Sequence, residues 1–284
     1  MLRTNADDLV VMAVTGHIAA PSLSRPPHRP DTEGLARVPI GMAGVVYNVR
    51  VGDPAYGWFG DHVEPGVSVA HPDLGVDHAM HYLTCVGNEA VVVDGLAAGE
   101  KGVVTGEHAR LLVDFEPEVM ENLGVGDRVL IKTHGRGMRL LDCPGVLVKK
   151  AGPTLIQKWG LEVLPGGRLR VPVAAIIPPQ FMGSGAELTP EFVDQDLMTG
   201  DRAALAEHGI DNLRLGDLVA VMDTDHRYGR GYKPGGVTIG LIIHGDSANP
   251  GHGPGCQDLL VCADGEIEPT VDPRANIAHI LGIR

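Results

Sequence analysis

The sequence predicts a mainly β fold with a few short helices, in which a small β-barrel accompanies a larger β-sandwich-like part. Of the 284 residues, 39 are Gly and 21 are Pro, while hydrophobic residues still make up 44%. Because Gly and Pro interrupt helices, the chain can bury a core but cannot form a bundle of long helices. Its glycines follow no period of three, which excludes a collagen helix.

The first 35 residues, 1–35, are predicted to be an extended arm. A short apolar run at 8–15 indicates a buried strand, and the prolines between Pro21 and Pro30 then exclude both a helix and an interior strand. Such an arm either drapes over its own domain or reaches a neighbouring subunit, and the sequence leaves both open.

The remaining chain is predicted to divide into a main β-rich domain, formed by residues 36–100 and 151–284, and a small β-barrel at 101–150. Short apolar runs separated by turn residues have the spacing of barrel strands. These runs lie at 89–94, 102–105, 110–115, 128–132 and 145–149, and later ones at 218–223, 237–244 and 258–262. The clearest helix is predicted within 199–209, with capping residues at both ends.

Charge and composition exclude several classes of partner. The chain carries 23 basic and 36 acidic residues, a net charge of −13, with no run of Lys and Arg. Nucleic acids and anionic membranes are therefore not expected partners, because binding phosphates takes a cationic face. No phosphate-binding loop and no GxGxxG motif after a strand is present, so no nucleotide cofactor is expected.

The sequence also predicts a cytoplasmic protein. No apolar stretch approaches 18 residues, and the N-terminal apolar run is too short for a signal peptide. Four cysteines, at 85, 143, 256 and 262, are scattered without a CxxC pair. This pattern fits reduced thiols better than a disulfide framework.

Polar residues capable of catalysis or ligation are densest at 223–256, around the strand at 237–244. Glycines at 251, 253 and 255 flank His252 and would let the backbone approach a ligand closely. The candidate catalytic residues are Asp225, Arg227, Arg230 and His252. The alternative is a tight irregular turn in which His252 only bonds backbone carbonyls.

A second group of histidines lies at 71–81 and includes His78 and His81. Imidazole and carboxylate ligands hold divalent Zn, Mn or Fe, although the HExxH signature is absent. The candidate metal ligands are His78, His81, His244, Asp246 and His252. Most of the 13 histidines fall in 62–81 and 226–252. If the two groups converge, a metal or acid/base site is favoured; if they do not, the enrichment is accidental.

Several segments resemble a prokaryotic family known as domain-of-unknown-function family 4438. The matching residues are Gly216-Asp217-Leu218-Val219-Ala220, Asp225 with Tyr228-Gly229-Arg230, Val237 to Gly240, His244 to Ser247, Gly251 to Gly255, Pro178 and Met182 to Gly185. The strands of 101–137 match as well. The resemblance implies a β-rich, multi-part architecture containing a small barrel, and it implies no activity.

The sequence is consistent with two alternative functions. The first is a cytosolic metal-assisted or acid/base enzyme acting on a small polar molecule, such as a hydrolase of an amide or lactam, in which Arg227 or Arg230 grips a substrate carboxylate. The second is a non-catalytic protein that binds a small metabolite or assembles into a homo-oligomer. A single concave pocket containing both histidine segments would favour the enzyme.

Overall fold

A computed structural model describes residues 2–21, 29–31, 33–37, 42–189 and 192–284. In the first half of the chain the strands are β1 (Met12–Ile18), β2 (Arg29–Pro30), β3 (Ala36–Arg37), β4 (Val45–Val46), β5 (Gly66–Ala70), β6 (Glu89–Val92), β7 (Lys101–Glu107), β8 (Leu111–Asp114) and β9 (Arg128–Thr133). The helices there are α1 (Leu74–Leu83) and α2 (Pro117–Met120).

Six of these strands close into a barrel. Their order is β1-β9-β6-β7-β8-β5, and β5 pairs with β1 through His17 opposite Ala70 and Ile18 opposite Val69. Closure leaves no free edge within the ring of six strands. Side chains such as Val69 and Ile131 fill the interior and are fully buried, so the barrel is a packed core and not a channel.

The second half of the chain forms a curled sheet with a smaller sheet beside it. Its elements are β10 (Leu147–Val148), α3 (Pro153–Lys158), β11 (Glu162–Leu164), β12 (Arg168–Val173), β13 (Ala175–Ile177), β14 (Met182–Thr189), β15 (Phe192–Leu197), α4 (Arg202–Glu207), β16 (Leu218–Thr224), β17 (Tyr232–His244), β18 (Gly255–Cys262), β19 (Ile267–Val271) and α5 (Ile277–Ile280). The curled sheet has the order β13-β16-β17-β18-β15-β14, with β10 on β18, and the smaller one the order β11-β12-β19.

Strand β17 lies in the middle of the curled sheet because its sequence suits burial on both faces. From Gly236 to His244 every residue is buried, and the run is rich in Val and Ile. Such a continuous apolar run is typical of a strand covered on both sides. His244, at its end, is therefore carried into the interior by its own strand.

The barrel and the curled sheet touch at the end of β7. The backbone N–H of Glu107 donates to Oε1 of Gln257 on β18, at 3.0 Å. The turn that follows β7 consequently reaches the end of the curled sheet where β15, β17 and β18 meet.

The mainly β prediction with a barrel is confirmed, and the larger part beside the barrel is a curled sheet. Three barrel strands come from outside the predicted barrel segment 101–150: β1, β5 and β6. The predicted arm at 1–35 contains β1, and residues 22–28 of its proline-rich portion lie outside the described residues. Whether 36–100 with 151–284 folds as one unit stays a prediction. None of the helices in the described ranges has the length and apolar character needed to cross a membrane.

Candidate metal centre

Five side chains meet where the barrel adjoins the curled sheet: His62, His108, Asp194, Asp196 and His244. Nε2 of His244 lies 3.4 Å from Oδ1 of Asp196 and 3.7 Å from Oδ2 of Asp194. Nε2 of His62 lies 3.5 Å from Asp196, and Nε2 of His108 lies 3.7 Å from Asp194. The ligand atoms form two overlapping groups of two histidines and one aspartate that share His244, each within 4.8 Å.

The strands explain how the carboxylates converge. Asp194 and Asp196 are two residues apart on β15, and alternate residues of a strand share one face. They lie opposite Gln257 and Gly255 of β18, and Gly255 also lies opposite His244. A Cβ at position 255 would stand 2.1 Å from Nε2 of His244 and 2.7 Å from Oδ1 of Asp194. The site therefore requires glycine at this position.

The other two histidines come from loops on the barrel side. His108 directly follows β7, and His62 lies in the loop between β4 and β5. His62 adopts a φ of 53°, which is uncommon for a residue other than glycine and is found at functional sites. Its backbone N–H donates to the carbonyl of Asp246, at 3.1 Å, which helps to hold this conformation.

Each of the three histidines has Nδ1 engaged by an oxygen acceptor. Nδ1 of His244 donates to the backbone carbonyl of Gly245 (2.9 Å), that of His62 to Asp61 (3.1 Å) and that of His108 to Glu64 (2.9 Å). In the neutral rings the proton sits on Nδ1, so Nε2 is left with a lone pair. Nε2 of His244 and of His108 faces the aspartates, and Nε2 of His62 lies 3.5 Å from Asp196 and 3.3 Å from Nδ1 of His252. Metal-binding histidines characteristically show this arrangement, with the second nitrogen fixed by a carbonyl or carboxylate.

The two carboxylates that accept hydrogen bonds from His108 and His62 are themselves fixed by further hydrogen bonds. Glu64 is fully buried and accepts hydrogen bonds from Oγ of Ser68 (2.6 Å) and the N–H of Ala43 (2.8 Å). Asp61 accepts from Oγ of Ser247 (2.6 Å), which lies in the loop after β17. The histidines are thus supported on both the barrel side and the sheet side.

Two polar atoms in the cluster lack hydrogen-bond partners. Nε2 of His244 and Oδ1 of Asp194 are buried and unpaired within the part of the chain that the structure describes. Unpaired buried polar atoms are costly and rare. Ligand atoms bound tetrahedrally to an ion at 2.0–2.1 Å stand about 3.3 Å apart. The nitrogen-to-oxygen separations of 3.4–3.7 Å therefore suit a shared cation better than direct hydrogen bonds.

Buried negative charge dominates the site. Burial alone would raise the pKa of Asp196, but its interactions with His244 and His62 outweigh burial and hold that pKa well below the usual value. Burial would lower the pKa of His244, yet Asp194 and Asp196 raise it well above 6.5. The pKa of Asp61 falls to about 2, because His62 and Ser247 outweigh the effect of burial. Ionised carboxylates in an interior need compensating positive charge, which protons or a divalent cation can supply.

A cavity of about 870 Å³ opens next to the cluster. His252 forms part of its wall, and its side chain is 32% exposed. Nδ1 of His252 donates to Oδ2 of Asp196 at 2.7 Å, and Nε2 makes no hydrogen bond to any described residue. His252 therefore connects the buried cluster with the cavity.

The remaining cavity wall combines aromatic and polar side chains. Among the lining residues are Trp58, Phe181, Thr199, Arg202 and Asp246. Its volume is in the range typical of small-molecule sites.

The structure brings together only some of the residues that the sequence singled out. His244 and His252 lie at the cluster, and Asp246 lies in the cavity wall, bonded to Arg202 and Thr199. His78 is exposed on α1, and His81 is buried there against Glu107, at 3.1 Å.

The predicted catalytic residues of the β16–β17 loop lie elsewhere. Asp225 forms a two-pronged ion pair with Arg227, at 2.9 and 2.8 Å, and Arg230 is exposed. Asp225, Arg227 and Arg230 are not among the described residues that line the cavity. The two histidine segments converge only through His62, which meets His244 and His252 with ring centroids 4.8 and 5.2 Å apart.

Sequence reasoning passed over His108, Asp194 and Asp196 as site residues. His62 was noted only as part of a histidine-rich segment. A signal for the aspartates is present, because the pattern Asp194-Gln195-Asp196 puts two carboxylates on one face of an apolar strand. His108 carries no local signal, since only the docking of β7 against β18 brings it to the site.

Fold and site together define a barrel protein with a largely buried histidine–aspartate cluster beside a cavity. The chain belongs to the DUF4438 family: its N-terminal domain model, described as a domain of unknown function, matches residues 28–157 and its C-terminal domain model matches residues 158–281. The crystal structure of TM1086 is similar, with 43% sequence identity, a TM-score of 0.91 and 98% of each chain covered. No curated protein matches the chain.

Proposed function

We propose that the protein is a metal-assisted, acid/base enzyme acting on a small polar molecule, with hydrolysis of an amide or lactam as its reaction. One observation carries the proposal: three histidines, of which His62 and His244 are buried and His108 is half-buried, have Nδ1 fixed by oxygen acceptors and Nε2 close to two aspartates. Two histidines and one carboxylate, which leave further coordination positions of the ion open to water or substrate, form a known catalytic ligand set.

His244 is common to both ligand groups, so we assign it as a ligand in either case. Asp196 with His62, or Asp194 with His108, completes the set. The nitrogen and carboxylate donors suit Zn, Mn or Fe. Such an ion lowers the pKa of a bound water and polarises a substrate carbonyl.

In this proposal His252 accepts the proton of the attacking water. Asp196 fixes Nδ1 of His252 as a donor, which leaves Nε2 of the neutral ring as a base beside the cavity. A carboxylate that orients an imidazole in this way is the usual arrangement for a general base. The same nitrogen then returns the proton to the leaving amine.

The cavity supplies the place for the substrate. Its volume of about 870 Å³ accommodates a small metabolite, and His252 and Asp61 connect its wall with the cluster. Gly251 lines the cavity beside His252 and has no side chain that would hinder a ligand approaching this histidine.

The test begins with the untagged protein, stripped of metal and reconstituted separately with Zn, Mn and Fe. We expect close to one ion per chain by mass spectrometry and hydrolysis within a panel of small amides and lactams. His252→Ala should lose at least about a hundredfold in kcat while keeping its ion, since general-base catalysis contributes about that much. His78→Ala, which changes an exposed histidine on α1, is the matched control.

Less than about a tenth of an ion per chain after reconstitution would overturn the metal centre, because a formed site of this kind binds its ion stoichiometrically. A fully loaded protein that hydrolyses none of the panel, or an unaffected His252→Ala variant, would overturn the catalytic assignment. The alternative would then hold, in which the cavity binds a small metabolite without turnover.

We also propose that the protein is cytoplasmic and forms a homo-oligomer. All four cysteines are free and buried, which supports a reducing compartment. Val10, Val11 and Met12 are 75%, 46% and 48% exposed, a contiguous apolar stretch that supports a contact between subunits. Light scattering of the wild type and of Val10→Ser/Val11→Ser tests assembly: the variant should lose mass, and a monomeric wild type would refute it.

A further inference from the structure

We infer that Arg202 anchors a carboxylate of the substrate, so that this site takes small monocarboxylic acids. The inference rests on the proposed function, since the ligand it describes is the substrate of the proposed centre. Arg227 and Arg230, which the sequence suggested for this role, lie outside the cavity wall, whereas Arg202 lies within it.

Arg202 is the one Lys or Arg side chain among the described residues that line the cavity. Its Nη2 donates to Oδ2 of Asp246, and it makes no other hydrogen bond to a described residue. The side chain is 56% exposed, so Nε and Nη1 remain available to a ligand. Nη2 carries two N–H groups, and Asp246 takes one of them. The other one, together with the parallel N–H of Nη1 or of Nε, forms the planar fork that matches a carboxylate.

The guanidinium is already held in place before a ligand arrives. It lies over the ring of Tyr56 at 5.2 Å, and the hydroxyl of Tyr56 donates to the carbonyl of Ile210 at 2.8 Å. Asp246 accepts from Nη2 of Arg202 and is itself held by Oγ1 of Thr199 at 2.8 Å. Less conformational entropy is therefore lost when a carboxylate binds.

Asp246 also connects Arg202 with the cluster, because its backbone carbonyl accepts the N–H of His62. Arg202 and His252 line the same cavity, and Oγ1 of Thr199 lies within hydrogen-bond distance of both Asp246 (2.8 Å) and the backbone carbonyl of His252 (3.4 Å). A molecule held by its carboxylate at Arg202 extends toward His252, where the bond to be cleaved would lie.

The rest of the wall restricts the substrate further. Glu33 and Asp201 stand among the lining residues, so a group with two negative charges meets more repulsion there than a group with one. Trp58 and Phe181 offer apolar surface for the body of the ligand. The chemistry fits an acid with one carboxylate and an apolar or aromatic part, and it disfavours phosphate esters.

Three matched probes test this: phenylacetate, phenylacetamide and phenyl phosphate, titrated into the metal-loaded protein. Trp58 fluorescence reports occupancy, since the other tryptophan, Trp159, is 3% exposed and outside the cavity. We expect phenylacetate to bind at least about tenfold more tightly than phenylacetamide, because charge-assisted hydrogen bonds to a carboxylate outweigh neutral ones. Phenyl phosphate should bind less tightly than phenylacetate.

Variants then assign the preference to Arg202. Arg202→Gln should remove it, Arg202→Lys should retain part of it, and Arg230→Gln, an exposed control, should leave it intact. The titration is repeated after a chelator has removed the metal ion, which separates this inference from the proposed function. If the protein has no metal centre, the preference for phenylacetate over phenylacetamide should still depend on Arg202. Equal affinities for acid and amide, no binding of phenylacetate, or a preference that survives Arg202→Gln would overturn the inference.

Discussion

Nε2 of His244 lies 3.4 Å from Oδ1 of Asp196, fully buried and without a hydrogen-bond partner among the described residues. The other nitrogen of the same ring donates to the carbonyl of Gly245. The chain thus directs a lone pair at a carboxylate, and two groups that both offer electron pairs repel each other unless a proton or a cation lies between them.

Asp196→Asn should weaken binding of the divalent ion by at least about tenfold, because it removes one of the two negative charges at the cluster and replaces a carboxylate with a neutral amide. Titration of the stripped protein with Mn or Zn, followed by mass spectrometry, measures the change. Asp225→Asn is the matched control, since Asp225 pairs with Arg227 outside the cluster. Equal loss of metal in both variants would contradict the assignment.

Gly255→Ala should abolish ion binding, although it adds only one methyl group. The new Cβ would stand 2.1 Å from Nε2 of His244, so the ring must leave its position. Gly200→Ala provides the control, because a Cβ there meets no atom within 4 Å. Metal content of both purified variants, with circular dichroism to confirm folding, gives the result, and a fully loaded Gly255→Ala protein would refute the proposed ligand geometry.

Glu64→Gln should lower ion affinity by about 10- to 100-fold without removing any ligand. Glu64 accepts hydrogen bonds through both oxygens, from His108 and from Ser68, whereas glutamine has one acceptor oxygen and would turn an amide N–H₂ toward a donor. Glu89→Gln changes an exposed carboxylate of the barrel and should have no effect. Calorimetric titration of both variants measures the ion affinity. An unchanged ion affinity in Glu64→Gln would show that the hydrogen bond from His108 to Glu64 does not support the site.

Ion binding should strengthen as pH rises above 6.5. In the metal-free protein Asp194 and Asp196 raise the pKa of His244 well above 6.5, despite the opposing effect of burial, so Nε2 carries a proton that the ion must displace. One displaced proton makes the affinity rise about tenfold per pH unit up to the raised pKa of His244, above which the affinity levels off. Calorimetry in buffers of different ionisation enthalpy measures the released protons directly.

The stability of the metal-free protein should change in the opposite sense. Because the pKa of His244 is raised in the folded state, the protonated imidazole stabilises the folded protein. This stabilisation is fully present below pH 6.5 and is lost as the pH rises through the raised pKa. The melting temperature of the chelated protein should therefore fall above pH 6.5, while the stabilisation by added ion grows. A pH-independent difference between the two forms would contradict proton displacement.

The sequence predicted the elements near the site better than the site itself. The run Val237–His244 indicated a strand because it is apolar and β-branched, and it lies within β17. His244 and His252 drew attention through the glycine-rich segment around them. His78 and His81 drew attention through spacing alone, and the helix α1 directs them elsewhere.

The amino-acid sequence by itself determined the β-rich composition of the fold, the main strands and the loop that carries His252, because these depend on local patterns of Gly, Pro and β-branched residues. Only the tertiary structure decided the ligand set. His62 and His108 come from the barrel side, and Asp194, Asp196 and His244 from the curled sheet, so their meeting depends on how β7 docks against β18. No local periodicity encodes a contact between residues separated by more than a hundred positions, since such contacts follow from packing of the whole chain.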